Sequence, residues 1–333
     1  MRNGLNVGVI GMGRAGEKHA LVYDRLPFVN LKAICDANKE RLDLYCSRFG
    51  VTGYTDYHRL LEDEQIDAVS IVLPDNMHLE VTRAAVRSHK HILLEKPIAS
   101  TIEDGRAIHD LVKQYPKVFM VAHALRFDPR HTLARDYIAS GEIGEIIHIV
   151  ARRNSTYAGA MMYKDSTDTH IHLMIHDVDY INWIVHSPPR KVTAKCREIL
   201  LKPWNMKDTI IALVEYQNGV LACIEACWVL PSNSPTELDD KMEIVGTKGV
   251  IYLNSCDSGV HVVSQNRIHY PDSIHWPEVN GEIGGTFLEE LTSFVNCIVQ
   301  DRPPVISAVE ALQALEVVDA IGRSISSKQE ALI

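Results

Sequence analysis

Six consecutive residues, Gly11-Met12-Gly13-Arg14-Ala15-Gly16, have the composition of a phosphate-binding turn. They follow a short apolar run and open a helical one, the context such a turn requires. Gly11 permits a tight turn, Gly13 lets backbone approach a pyrophosphate, and Gly16 lets helix and strand pack closely. Phosphate would then rest on free N–H groups at the positive end of the helix dipole. Asp36, 20 residues beyond Gly16, ends the second apolar run. A carboxylate there accepts hydrogen bonds from an adenosine ribose and repels a 2′-phosphate, so NAD is the expected cofactor. Asn38 and Lys39 lie close enough to leave NADP open. A second candidate group, Glu95-Lys96-Pro97, closes the apolar run 91–94. At the carboxyl edge of a parallel sheet Lys96 can donate to a substrate oxygen beside a nicotinamide. A lysine at a strand end can equally be an ordinary solvated side chain.

These residues need a scaffold, and the hydrophobic pattern supplies one. Over the first ~120 residues, short apolar runs at 5–10, 31–35, 68–73, 91–94 and 118–122 alternate with helical stretches at 15–25, 39–49, 77–88 and 102–115. Alternation of this kind predicts βαβ units and a doubly wound parallel sheet, a Rossmann domain over residues 1–122. After a helix at 131–140, strands follow one another at 146–154, 192–196, 210–216, 220–229, 242–245 and 250–253. Asn218-Gly219 is a strong hairpin signal, and Gly249 sits where another tight turn is needed. The expected second domain, residues 123–333, is α+β with a large, mostly antiparallel sheet. Helical patterns at 287–299 and 308–325 close it, and the last helix could pack back on the first domain.

Composition narrows the function classes. At 333 residues the chain is long for one core and suits two domains. Its net charge of −9 argues against nucleic acid or an anionic membrane as the main partner. No apolar run reaches the ~18 residues that span a bilayer. The N-terminal segment has one basic residue and a short apolar run that meets Gly11, which reads as a first strand rather than a secretory signal. Seven scattered cysteines, an odd number, do not form a disulfide framework, so a reduced, cytoplasmic protein is expected. Cys223 and Cys227, four apart in an apolar strand, would face one side and pack.

The combination of motifs is more specific than any one of them. Gly11 to Gly16, Leu73-Pro74-Asp75-Asn76-Met77-His78, Glu95-Lys96-Pro97, Arg126-Phe127-Asp128-Pro129 and Gly141-Glu142-Ile143-Gly144 occur in the order and spacing of the glucose–fructose oxidoreductase/inositol dehydrogenase/rhizopine catabolism family. Met242 to Gly249 and Asp301-Arg302-Pro303-Pro304 also resemble that family, so the likeness spans nearly the whole chain. The resemblance implies NAD(P)-dependent hydride transfer between the nicotinamide and a carbinol carbon of a sugar, cyclitol or sugar derivative. It also implies a homo-oligomer, dimer or tetramer, built through the second domain's sheet. By position Lys96 resembles the family's catalytic lysine, which would hydrogen-bond the reacting oxygen. His176, in His176-Asp177-Val178-Asp179, resembles its histidine, a group suited to exchange the proton. Leu73, Pro74, Asn76, His78 and Glu95 resemble the loop around the nicotinamide. Arg126 matches an arginine for which an ion pair and ligand binding are equally open.

One departure stands out. Four residues before His176, where the family commonly carries aspartate, this chain has His172. A glycine-rich stretch typical of many members is replaced by Lys164-Asp165-Ser166-Thr167-Asp168. Histidine can donate, accept or carry charge where aspartate only accepts, so His172 is expected to read a substrate oxygen or orient His176. His170, His172, His176 and Asp177 invite a metal reading, since histidines four apart on a helix can share an ion. Their spacing matches no zinc signature and the family chemistry needs no metal, so none is expected. His170 reads as a surface histidine. Arg152 and Arg153 could grip a phosphate or carboxylate through forked hydrogen bonds, though as strand neighbours at most one would do so, and Arg153 is the candidate. Tyr157 and Asn154 are further candidates on the substrate side. Three other functions share these residues: a glycoside-processing enzyme acting by transient oxidation with tightly held NAD, a nucleotide-sugar dehydrogenase, and a non-catalytic NAD-binding regulator. The last has no use for both Lys96 and His176.

Overall fold

The computed structural model describes residues 4–256, 259–265 and 268–333. The first part of the chain runs β1 (Leu5–Ile10), α1 (Arg14–Arg25), β2 (Val29–Cys35), α2 (Lys39–Phe49), β3 (Thr52–Tyr54), α3 (Tyr57–Glu62), β4 (Ala68–Ile71), α4 (His78–Arg87), β5 (His91–Glu95), α5 (Ile102–Val112) and β6 (Phe119–Ala122). Its six strands pair in the order β3-β2-β1-β4-β5-β6, with each pair parallel. Such strands are covered on both faces and so read as continuous apolar runs. Val7, Val9, Ile34, Val69, Ile71, Ile92, Leu93 and Leu94 are all fully buried. The chain leaves β1 for one side of the sheet and later returns to its other side at β4. The carboxyl ends of β1 and β4 therefore form the switch point at which open α/β sheets bind ligands.

The second part contains α6 (Pro129–Ala139), β7 (Ile146–Thr156), α7 (Tyr157–Tyr163), a π-helical turn (His170–Met174), α8 (Ile175–Val185), β8 (Pro189–Arg197), β9 (Thr209–Tyr216), β10 (Leu221–Leu230), β11 (Leu238–Gly246) and β12 (Val250–Asn254). Helices α9 (Gly285–Val299) and α10 (Ala308–Ser327) and a short strand, Ala331–Leu332, follow. A seven-stranded sheet has the order β12-β11-β7-β10-β9-β8 with Ala331–Leu332 at the edge. Every pair is antiparallel except β7 with β10. The hairpin joining β9 to β10 turns at Gly219, whose φ of 88° is the left-handed conformation expected of Asn218-Gly219.

The chain divides into two compact units, residues 1–127 with 274–312 and residues 128–273 with 313–333. The boundary expected at 122/123 thus moves to 127/128, and residues 274–312 belong to the first unit rather than the second. The reason lies in the apolar face of α9 and in the segment just before it. Phe287 meets the His19 ring of α1 edge-on at 5.8 Å, and Leu291 and Phe294 are fully buried. Arg25 of α1 also holds Glu282, at 2.9 Å, and the carbonyl of Ile283. Strand β3 and helix α3 escape the hydrophobic pattern because they hold three and six residues, too few to establish a period.

Candidate active site

The glycine-rich turn has the geometry its residue types demand. Gly11 has φ 96°, and a Cβ there would stand 2.1 Å from the Val72 carbonyl oxygen. A Cβ on Gly16 would stand 1.8 Å from the Gly11 carbonyl oxygen, so only glycine lets α1 start this close to β1. A Cβ on Gly13 would meet nothing within 4 Å. Gly13 is the N-cap of α1 and no side chain caps the helix there. Open space over uncapped N–H groups at a helix N-terminus fits a pyrophosphate. Met12 is buried beneath the turn. Ala15 lies in the first turn of α1, and the Arg14 guanidinium lies over the Trp276 ring, 5.4 Å from its centre.

Asp36 follows β2 and is almost fully buried. Its carboxylate accepts from the backbone N–H groups of Met12 at 2.9 Å and Asn38 at 2.8 Å. These bonds tie the end of β2 to the glycine turn. Arg41, from the first turn of α2, approaches the same carboxylate at 3.3 Å. Sequence reasoning passed over Arg41 because it lies beyond the motif.

The loop after β4 and the end of β5 are joined by His78. Its Nδ1 lies 2.9 Å from the Pro97 carbonyl oxygen and its Nε2 3.0 Å from that of Leu73. The ring is fully buried, and burial pulls its pKa below the ordinary value. A neutral ring has one N–H to donate, so His78 hydrogen-bonds one of these carbonyls and sits against the other, packing the loop that carries Pro74 and Asn76 beside the Lys96–Pro97 peptide. The Glu95 side chain is 12% exposed. Burial alone would raise its carboxyl, but the His19 ring and Lys96 hold it below the usual range. Its Oε2 accepts from the Lys96 backbone N–H at 3.0 Å. Lys96 is half-buried. Arg126 is 4% exposed and its guanidinium pairs with Glu310. Glu310 completes a capping box at the start of α10 by accepting from the Ser307 N–H at 2.9 Å. The ion-pair alternative for Arg126 is the one present in this unit.

In the second unit, Arg153 is not available to grip a ligand. It is 3% exposed and donates to both oxygens of Asp177, at 2.8 and 3.0 Å, with Asp240 3.4 Å away. A buried guanidinium needs such partners, because an unpaired charge there would be very costly. Arg152 points to the opposite face and pairs with Asp239 at 2.7 Å, and Asn154 donates to Glu225 at 2.9 Å. Arg153 instead anchors the first turn of α8, in which half-buried His176 sits next to Asp177.

His172 lies in the π-helical turn that leads into α8. Its ring stacks on Trp228 of β10, centres 4.8 Å apart and planes 16° apart. Tyr163 of α7 lies 4.3 Å away. Stacking fixes the ring plane and leaves polar contact to its edge. Neither aromatic partner is legible from local spacing, since one lies nine positions before His172 and the other on a distant strand. His170 is not a surface residue: its side chain is 13% exposed and lies 3.4 Å from Asp168, packed against Gly322 of α10. Asp168, from the segment that replaces the glycine-rich stretch, pairs with Lys207 at 2.9 Å. It also accepts from the Thr169 N–H. Tyr157 begins α7, with its ring 6.3 Å from that of Trp204. Among the described residues, no three His, Cys, Asp or Glu side chains are placed to hold a metal ion.

A six-stranded 3-2-1-4-5-6 sheet, an open glycine turn and a carboxylate at the end of β2 define a dinucleotide-binding protein. Residues 5–123 match the family described as "Oxidoreductase family, NAD-binding Rossmann fold", and residues 135–332 match its "C-terminal alpha/beta domain". The chain belongs to this glucose–fructose oxidoreductase/inositol dehydrogenase/rhizopine catabolism family, and its cofactor is NAD. It is 38% identical over 290 residues to levoglucosan dehydrogenase of Pseudarthrobacter phenanthrenivorans, covering 75% of this chain and 73% of that one. It is 26% identical to scyllo-inositol 2-dehydrogenase (NAD(+)) of Bacillus subtilis, covering 95% and 93%. Among solved structures, levoglucosan dehydrogenase in complex with NADH and levoglucosan superposes with a TM-score of 0.84 at 25% identity, covering 99% of both chains. No helix among the described residues is long and apolar enough to cross a membrane.

Proposed function

We propose that this protein is an NAD-dependent dehydrogenase that oxidises a CH–OH group of a sugar derivative or cyclitol, with an anhydrosugar such as levoglucosan the first candidate. The observation that carries the reading is the intact Glu95-Lys96-Pro97 corner, held by His78 and His19 beside a glycine turn open to pyrophosphate. NAD, when bound, supplies the hydride acceptor. Lys96 hydrogen-bonds the reacting oxygen and stabilises the charge that develops on it. His176 takes the hydroxyl proton, a task suited to imidazole near neutral pH. Asn76 and Pro74 shape the nicotinamide end of the cofactor site, and Asp36 accepts from the adenosine ribose, favouring NAD over NADP. His172 and Tyr157 contact substrate hydroxyls, His172 through the edge of its stacked ring. The enzyme works in the cytoplasm on a small molecule, without nucleic acid or membrane.

A homo-oligomer forms through the outer face of the seven-stranded sheet. Val150, Ile211, Leu213 and Tyr252 are all exposed there, at 44–70%, where a lone subunit would leave apolar surface in water. Light scattering checks this, and a monomer at micromolar concentration would contradict it. The substrate reading is tested by offering levoglucosan, scyllo-inositol, myo-inositol, aldoses, sugar phosphates and UDP-sugars with NAD and following NADH at 340 nm. Turnover of the anhydrosugar or an inositol supports it. Turnover of only a nucleotide sugar, or cofactor that co-purifies and returns to its starting redox state, overturns it.

A further inference from the structure

The first unit contains a buried polar chain that no motif predicted. Tyr23 and His19 of α1 and Ser70 of β4 are fully buried. The Tyr23 hydroxyl lies 2.8 Å from Ser70 Oγ, which lies 3.1 Å from His19 Nδ1. His19 Nε2 lies 3.3 Å from Glu95 Oε1, and Glu95 Oε2 accepts from the Lys96 N–H at 3.0 Å. One assignment of protons satisfies every link. Tyr23 donates to Ser70, Ser70 donates to His19 Nδ1, and His19 Nε2–H donates to Glu95. Glu95 then receives a donor on each oxygen, one from α1 and one from the peptide that begins Lys96. The His19 ring is further wedged by Phe287 of α9, edge-on at 5.8 Å, so it has no freedom to swing.

We infer that His19 is a positioning residue for Lys96, acting through the Glu95 carboxylate to fix the Glu95–Lys96 peptide. The inference rests on the catalytic reading of Lys96. A carboxylate held on one oxygen can rotate about its stem, and the backbone N–H it accepts from can follow. Held on both oxygens by groups on different elements, it cannot. Two buried hydroxyls in series are needed only if the orientation of the histidine matters, because apolar packing would fill the same space without desolvating polar groups. A displacement of about 1 Å at a reacting group can cost on the order of a hundredfold in rate.

The test uses His19→Leu, which removes the donor, His19→Gln, whose amide can reach Glu95, and Lys96→Ala as a control. Labelling by pyridoxal 5′-phosphate followed by borohydride, mapped by peptide mass spectrometry, reads Lys96 without needing a substrate. His19→Leu should change Lys96 labelling at least threefold relative to the other lysines and lower kcat about tenfold or more. NADH Kd should stay within threefold, and His19→Gln should recover most of both effects. The inference is overturned if His19→Leu leaves Lys96 labelling unchanged, or if the Leu and Gln variants are impaired equally in step with lost melting temperature. Should Lys96→Ala retain turnover, the catalytic reading of Lys96 fails. The labelling response still decides whether His19 positions that residue.

Discussion

Replacing Gly13 and Gly16 separately by alanine should divide cofactor binding from folding within a single turn. At Gly16 the new Cβ would lie 1.8 Å from the Gly11 carbonyl oxygen, so the turn between β1 and α1 must open by more than 1 Å to restore a contact near 3 Å. Both groups are backbone-anchored and cannot rotate away. Overpacking of this kind costs about 1–3 kcal/mol, a fall of several degrees in melting temperature. At Gly13 the φ of −72° suits any residue, and the Cβ meets nothing within 4 Å. Alanine is a poorer N-cap than glycine by about 0.5–1 kcal/mol, but it lowers unfolded-state entropy by about 0.4–1 kcal/mol, so stability should barely move. The Cβ would, however, occupy the space left for pyrophosphate. A tenfold or greater rise in NADH Kd, about 1.4 kcal/mol, is expected by fluorescence titration. Wild-type NADH affinity in Gly13→Ala would refute the reasoning, as would wild-type melting in Gly16→Ala.

His172→Ala should lower kcat/KM about tenfold through loss of a hydrogen bond to a buried partner, with only ~1 kcal/mol of stacking lost from stability; full activity would make His172 peripheral. Asp36→Ala should reduce kcat/KM with NAD and raise the NADP/NAD ratio at least tenfold, since the repelling carboxylate is gone and Arg41 loses the partner that neutralises it; an unchanged ratio would contradict the role given to Asp36. Acid stability follows from Asp128 and Asp168. Burial would raise both carboxyls, but His131 and Arg130 around Asp128, and His170 and Lys207 around Asp168, hold them well below the usual range. Their contribution is complete above the unfolded value near 3.9 and is lost as pH falls below it. Melting temperature should therefore drop below about pH 4, and less steeply in Asp168→Asn; a flat profile down to pH 2.5 would count against both pairs.

What the sequence disclosed follows from the distance over which each signal acts. The Rossmann strands were legible because burial on both faces makes each a continuous apolar run, and Gly11, Gly13 and Gly16 because their constraints are local to one turn. From sequence alone Arg153 suits ligand binding, as a forked guanidinium near the end of a strand. Its partner Asp177 lies 24 residues away on another element, and no pattern announces the pairing. His170 misled for the same reason, since Gly322 leaves room for its ring only once α10 is in place. The link from His19 to Glu95 spans 76 residues. The return of α9 to the first unit depends on Phe287, Leu291 and Phe294 finding a partner surface, whereas apolar periodicity tells only that a helix has a buried face.

The central claim, that Lys96 serves the transition state of hydride transfer, is tested most directly by Lys96→Ala assayed for turnover and for NADH affinity in the same preparation. Nearly all kcat should be lost on the substrate that the wild type oxidises, with NADH Kd within threefold of wild type, because the interaction is made chiefly in the transition state. Retained kcat, or activity restored simply by raising the NAD concentration, would show Lys96 to be a cofactor-binding residue and contradict the account.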